Sequence, residues 1–149
     1  ATINTKNVHR TNFLLGHPYG KDFRYDEMML TSPGDAGKAA ANAVVDMLKN
    51  PFGAKPPKPG EGPSKEEREN GHYDVVFIGE WPDGQRLHYG VKGRYDPGYG
   101  STSRMLAETG IALLTSDAKG GVGTPGAFLG EALVERLREH AALTFAVEE

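Results

Sequence analysis

Apolar and polar positions alternate along Arg86–Tyr95, with Leu87, Tyr89, Val91 and Tyr95 on one side and Arg86, His88, Lys92 and Arg94 on the other. A period of two is that of a strand with one buried and one wet face. The run before it, Tyr73–Trp81, is apolar on both sides, with Val75 and Phe77 opposite Val76 and Ile78. Between them Pro82-Asp83-Gly84-Gln85 is a turn with a mechanism: Pro presets φ and Gly accepts a positive φ, so the two runs predict an antiparallel hairpin. Downstream the period becomes helical. Met105, Leu106, Thr109, Ala112 and Leu113 mark a helix over about 101–116. Leu129, Ala132, Leu133 and Leu137 mark a last helix that Thr124-Pro125 caps and that runs to about Ala141; Leu143–Val147 is a closing strand.

The first half is less regular. Residues 1–22 are polar and turn-rich, bend at Gly16–Gly20, and show no helical or strand period. The aromatic start of Phe23–Leu30 predicts a strand over 23–31. Ser32 can then cap a helix, Pro33 suits its first position and Asp35 its positive end, which predicts an Ala-rich helix to Lys49, stopped by Asn50-Pro51. Five prolines and three glycines at 51–63 predict an extended stretch without regular structure. Ser64-Lys65-Glu66-Glu67 is a capping box for a short turn of helix ending near Gly71, and Lys65–Glu69 is its solvated face. Strands and helices do not alternate, so the expected class is α+β: one domain over 1–149, a largely antiparallel sheet, helices packed on one face.

Composition narrows the function classes. A net charge of -3 excludes a general nucleic-acid binder, which needs surplus Lys and Arg. With 0 Cys there is no disulfide, thiolate nucleophile or Cys-ligated zinc, and a reducing cytoplasm is the expected compartment. No apolar run can span a bilayer: the densest, Val75–Ile78 and Ile111–Leu114, are four residues long. The chain opens Ala1-Thr2-Ile3 without Met, which we read as the mark of an excised piece.

Few motifs carry chemistry. Gly121-Val122-Gly123-Thr124-Pro125-Gly126 spells the dinucleotide fingerprint, but the polar Thr115–Gly120 precedes it where a buried strand is required. It reads as a loop into a Thr-Pro helix start, and no cofactor site is expected in these residues. Gly98–Arg104 sets two glycines and three hydroxyls (Ser101, Thr102, Ser103) at a helix N-terminus, where free amides can hold a carboxylate or phosphate; a tight turn with an ordinary cap is the competing reading. His9-Arg10-Thr11-Asn12 groups side chains that suit a polar ligand, or that tie down a chain terminus. His9, His17, His72, His88 and His140 show no metal-ligand spacing, so no metal is expected. Ser101 lacks the G-x-S-x-G setting of a hydrolase. Asp26 and Glu27, adjacent on a strand, would point to opposite faces and share no proton.

Several segments together resemble saccharopine dehydrogenase-like proteins, above all their trans-acting enoyl reductase branch. They are Asn7–His17, Phe23–Glu27, the KPGEGPS run that closes Pro56–Ser64, Asp96–Thr102, and the tail from Gly123-Thr124-Pro125 through Ala132–Leu137. The resemblance implies a two-part enzyme: an N-terminal Rossmann domain that binds NAD(P), and a second α+β domain that closes over the substrate and supports a homodimer. This chain is then the second, C-terminal domain, inactive without the missing Rossmann domain, its partner a small-molecule or acyl substrate. His9, Arg10, Asn12, Tyr99, Ser101 and Thr102 are the substrate-side candidates; no catalytic residue is assigned. The competing reading is a non-enzymatic module whose sheet or Pro-rich loop docks a protein.

Overall fold

The computed structural model describes residues 3–49 and 58–148. In chain order these form α1 (Asn4–Leu14), α2 (Gly34–Lys49), α3 (Lys65–Asn70), β1 (Tyr73–Glu80), β2 (Arg86–Gly93), α4 (Gly100–Leu114), α5 (Pro125–His140) and β3 (Leu143–Glu148). The class is α+β, as the pattern predicts. The strands make one antiparallel sheet in the order β1-β2-β3. Gly84, at φ 83°, supplies the conformation that the hairpin turn requires.

Register decides the faces. Val75 lies opposite Val91 and Val91 opposite Phe145, while Tyr73 and Leu143 flank Gly93 from either side. This face meets the helices: Leu143 joins Ala112, Leu129, Leu133, Leu137 and Ala141 in the core, with Val91, Met105, Phe128 and Phe145 packed against it. Burying a Leu is worth about 1.5–3 kcal/mol, so the single stripe of α5 that carries three of them holds much of the fold together. The other sheet face is largely polar, with Val76 and Ile78 of β1 its apolar positions. There Lys92 bridges Asp74 at 3.0 Å and Glu148 at 3.1 Å across all three strands, and these hydrogen bonds raise its pKa.

Helices α4 and α5 both depart from the simple stripe. On α4 the inward residues are Ser101, Met105, Thr109 and Ala112, while Leu106 and Leu113 point outward. A half-buried Glu108 on α4 binds Arg136 of α5 between the helices. On α5 Ala132 is exposed, because Gly130 (φ 51°, ψ -130°) breaks the helical geometry after Leu129.

The first half corrects two expectations. Residues 4–14 are helical, not irregular. That helix is polar nearly all round, so no stripe betrays it; its one buried residue, Asn12, anchors it instead. Residues 23–32 form no strand, because no neighbouring strand completes their ladder. The segment 58–63 has no helix or strand beyond a turn, as expected, while Asn50 and residues 51–57 lie outside the described residues. The capping box at Ser64 is formed in both directions.

The accessible surface is 11676 Å². A compact monomer of 16.1 kDa exposes roughly 7400 Å². Met28, Met29, Leu30, Met47, Leu48, Leu106 and Leu114 are all more than half exposed. This chain covers only part of its own apolar surface.

Candidate functional site

Two depressions lie where the sequence places chemistry. The first, about 460 Å³, is lined by Gly60, Glu61, Gly62, Pro63, Arg68, Tyr99 and Ser103. Three local features build it. The loop before α3 turns at Gly60 (φ 86°), where the Glu61 carboxylate accepts from the Lys58 amide at 2.9 Å. Arg68 on α3 donates to the Pro63 carbonyl at 2.6 Å, which holds the loop against the helix. Tyr99, 59% exposed, forms the opposite wall at the start of α4, its ring within van der Waals reach of where a side chain on Gly62 would begin. A guanidinium, a phenol and a hydroxyl thus line one open cleft together with the Glu61 carboxylate. Such a mixed set can bind a polar neutral group such as a thioester carbonyl.

The helix start beside this cleft is already satisfied. Asp96 accepts from the amides of Gly98 at 3.0 Å and Tyr99 at 3.1 Å, and from that of Gly100. These backbone hydrogen bonds, that from Gly100 foremost, hold the carboxyl of Asp96 below its ordinary pKa. The amides that the sequence offers to a ligand anion are therefore occupied by the chain's own anion. Ser101 is fully buried and shares a 2.9 Å hydrogen bond with Tyr73. Thr102 donates to the Pro97 carbonyl at 2.6 Å. Of the candidates here, only Tyr99 lines the cleft.

The second depression, about 450 Å³, is lined by His9, Phe23, Arg24, Tyr25 and Asp26. His9 lies edge-on to Phe23, and Tyr19 tilts against the same ring. Arg10 is exposed and reaches the Val122 carbonyl at 3.4 Å. Asn12 points inward, donating to the Gly20 carbonyl at 2.8 Å and accepting from the Tyr19 amide at 3.0 Å. Asn12 ties the chain down, one of the two readings open to it. Tyr25 donates to Glu27 at 2.6 Å. Burial and this carboxylate push the phenol up to about 12, and the same hydrogen bond keeps Glu27 ionised below its ordinary pKa. A phenol so stabilised is a poor proton donor at neutral pH.

The sequence reading named Ser103 with the hydroxyls at the start of α4 but did not single out Arg68, Phe23, Arg24 or Tyr25 as site residues. The Arg68 side of the cleft could have been found from KPGEGPS running directly into a capping box, since that join fixes a loop against a helix. The second cluster could not, because it forms only when the unpaired segment 23–26 folds back on α1. Among the described residues no cluster of His, Cys, Asp and Glu could hold a metal ion, and no helix is long and apolar enough to cross a membrane.

Neither of the two glycine-rich helix starts, those of α4 and α5, suits a dinucleotide. The 121–126 run follows α4 and a loop, not a strand. Its helix opens with Pro125, which has no N–H to offer, and the Thr124 hydroxyl makes no cap hydrogen bond, contrary to expectation, because it pairs with Thr11 at 2.6 Å. At α4 the pyrophosphate would have to displace Asp96.

The chain is similar over most of its length to larger mycobacterial proteins. It is 36% identical to a protein of Mycobacterium tuberculosis named as a trans-acting enoyl reductase, over 92% of this chain and 37% of that protein. It is 34% identical to the trans-acting enoyl reductase of Mycobacterium ulcerans, over 97% and 39% respectively, and 34% identical to that of Mycobacterium bovis, over 92% and 37%. The chain thus spans under two fifths of the length of these relatives. No protein-family model matches it, and no solved structure does.

Proposed function

We propose that this chain is the substrate-side, C-terminal part of an NAD(P)-dependent, saccharopine dehydrogenase-like reductase of the trans-acting enoyl reductase kind. The observation that carries this reading is the similarity over 92% of the chain to proteins of that name, of which it spans 37%. Reduction of an enoyl group needs a hydride at one carbon and a proton at its neighbour, and the hydride comes from a carrier. Since neither glycine-rich helix start suits a dinucleotide, this reading assigns the carrier to protein outside these residues. The cleft between the Gly60–Pro63 loop and Tyr99 supplies what remains: a cation, a phenol and a hydroxyl to grip the polar end of an acyl substrate. His9 and Arg10 stand as the second substrate-side pair, and the assembled enzyme is a homodimer.

The test is calorimetric titration of NADPH into the 149-residue chain and into the protein encoded by the whole reading frame. The short chain is expected to show no saturation and the longer protein to saturate. Micromolar binding by the short chain would overturn the assignment. On the substrate side, Tyr99→Ala in the longer protein should weaken an acyl thioester by about tenfold, a loss of one aromatic contact, and leave NADPH affinity unchanged.

One observation favours the rival reading, a protein-docking module: Val75 (42% exposed), Phe77 (46%) and Ile78 (60%) leave both sides of β1 partly bare. A free-standing module of that kind would have no nucleotide-binding segment in its reading frame.

A further inference from the structure

The chain's best amphipathic element is packed against almost nothing. On α2, Ala36, Ala40, Val44, Met47 and Leu48 recur every three or four positions and share one side. Asp35, Lys38, Asn42, Asp46 and Lys49 share the other. Yet Met47 is 56% and Leu48 68% exposed, and α2 packs extensively on no other element among the described residues. Met28 and Leu30, on the segment leading into it, are exposed at 88% and 84%.

The charges say what kind of surface covers the stripe. The polar side pairs Lys38 with Asp35 at 3.6 Å and Lys49 with Asp46 at 3.2 Å, so it is neutral. A helix that lies on an anionic membrane carries surplus Lys and Arg there. The stripe therefore suits an apolar protein groove.

We infer that the apolar stripe of α2 is the docking face for the rest of a longer polypeptide, the part of its relatives' length that this chain does not span. The inference rests on the proposed reading only in needing that longer chain. A second copy is the weaker occupant. A single two-fold contact covers one patch on each copy, whereas the bare apolar surface here is spread over several elements. Bare apolar residues also sit on three further elements: Leu106 and Leu114 on α4, Phe77 on β1 and Val147 on β3. The relatives' remaining length, more than half of each, is of the right size to cover several such faces.

The chain has 0 Cys, which allows a direct test. Met47→Cys and Leu48→Cys place thiols on the stripe, and Asn42→Cys places one on the polar side. Maleimide labelling of each is followed by peptide mass spectrometry, in the 149-residue chain and in the protein of the whole reading frame. All three should label alike in the short chain. In the longer protein the stripe thiols should slow by on the order of tenfold or more, with Asn42→Cys unchanged. Equal rates for the stripe thiols in both proteins overturn the inference. So does protection in the short chain that rises with its concentration, which assigns the stripe to a second copy, and so does a reading frame that closes with these residues. NADPH binding is read separately: its failure beside a protected stripe rejects the reductase reading alone.

Discussion

Asp96 shows how a single side chain sets the character of a surface. Its carboxylate takes the amides of Gly98, Tyr99 and Gly100, so the positive end of α4 is neutralised from within. Because the folded pKa is depressed, the contribution is fully present above the unfolded value, near 4, and is lost as pH falls through the folded one. Asp96→Asn keeps one acceptor oxygen and discards the charge. It should lower the melting temperature by several degrees at pH 7, with the gap to the parent closing below about pH 4. A gap of equal size at pH 3 and pH 7 would assign the residue a purely geometric role. Asn12 makes the complementary case for buried polarity. Asn12→Ala strands the Gly20 carbonyl and the Tyr19 amide, and should cost about 1–3 kcal/mol in urea titration. A cost near zero would return Asn12 to the list of surface candidates.

Elements were legible where an energetic pattern lies in the sequence itself. The hairpin, α4, α5 and the Ser64 capping box each carry a period or cap whose partners are local, and each formed. What escaped was set by contacts distant in sequence. The helix over 4–14 is held by Asn12 against the bend at 19–20, by Thr11 against Thr124, and by packing on α5, and the last two partners lie more than a hundred residues away. The residues 23–31 have strand propensity but no strand beside them, and propensity without a ladder partner decides nothing. The same split governed the site. Tyr99 and Ser103 were nominated from their helix start, whereas Arg68 reaches the cleft only through the fold of the preceding loop. Two glycines test the backbone side of this argument. Gly130 adopts φ 51° and ψ -130°, a region closed to other residues, so Gly130→Ala should destabilise by about 1–3 kcal/mol. Gly110 lies in the regular interior of α4 with open space where a Cβ would go, so Gly110→Ala should stabilise by roughly 0.5–1 kcal/mol. Thermal unfolding of both variants checks the pair; the same sign for both would refute it.

At the scale of the whole molecule, the quantity that matters is the apolar surface left over. An unfolded chain of 16.1 kDa exposes roughly 23000 Å², so folding to 11676 Å² buries about half of it. A compact domain of this length buries roughly 68–70%. The six buried apolar residues of the core, against seven large ones more than half exposed on α2, α4 and the segment before α2, are the same deficit seen in side chains. The denaturant m-value scales with the surface exposed on unfolding. Urea titration of the isolated 149 residues should therefore give an m-value roughly a quarter below that of a compact domain of equal length, and a low midpoint. A full-sized m-value would show that the bare faces close on one another in solution. In that event α2 folds back onto its own chain, and the cleft beside Tyr99 belongs to a self-sufficient domain.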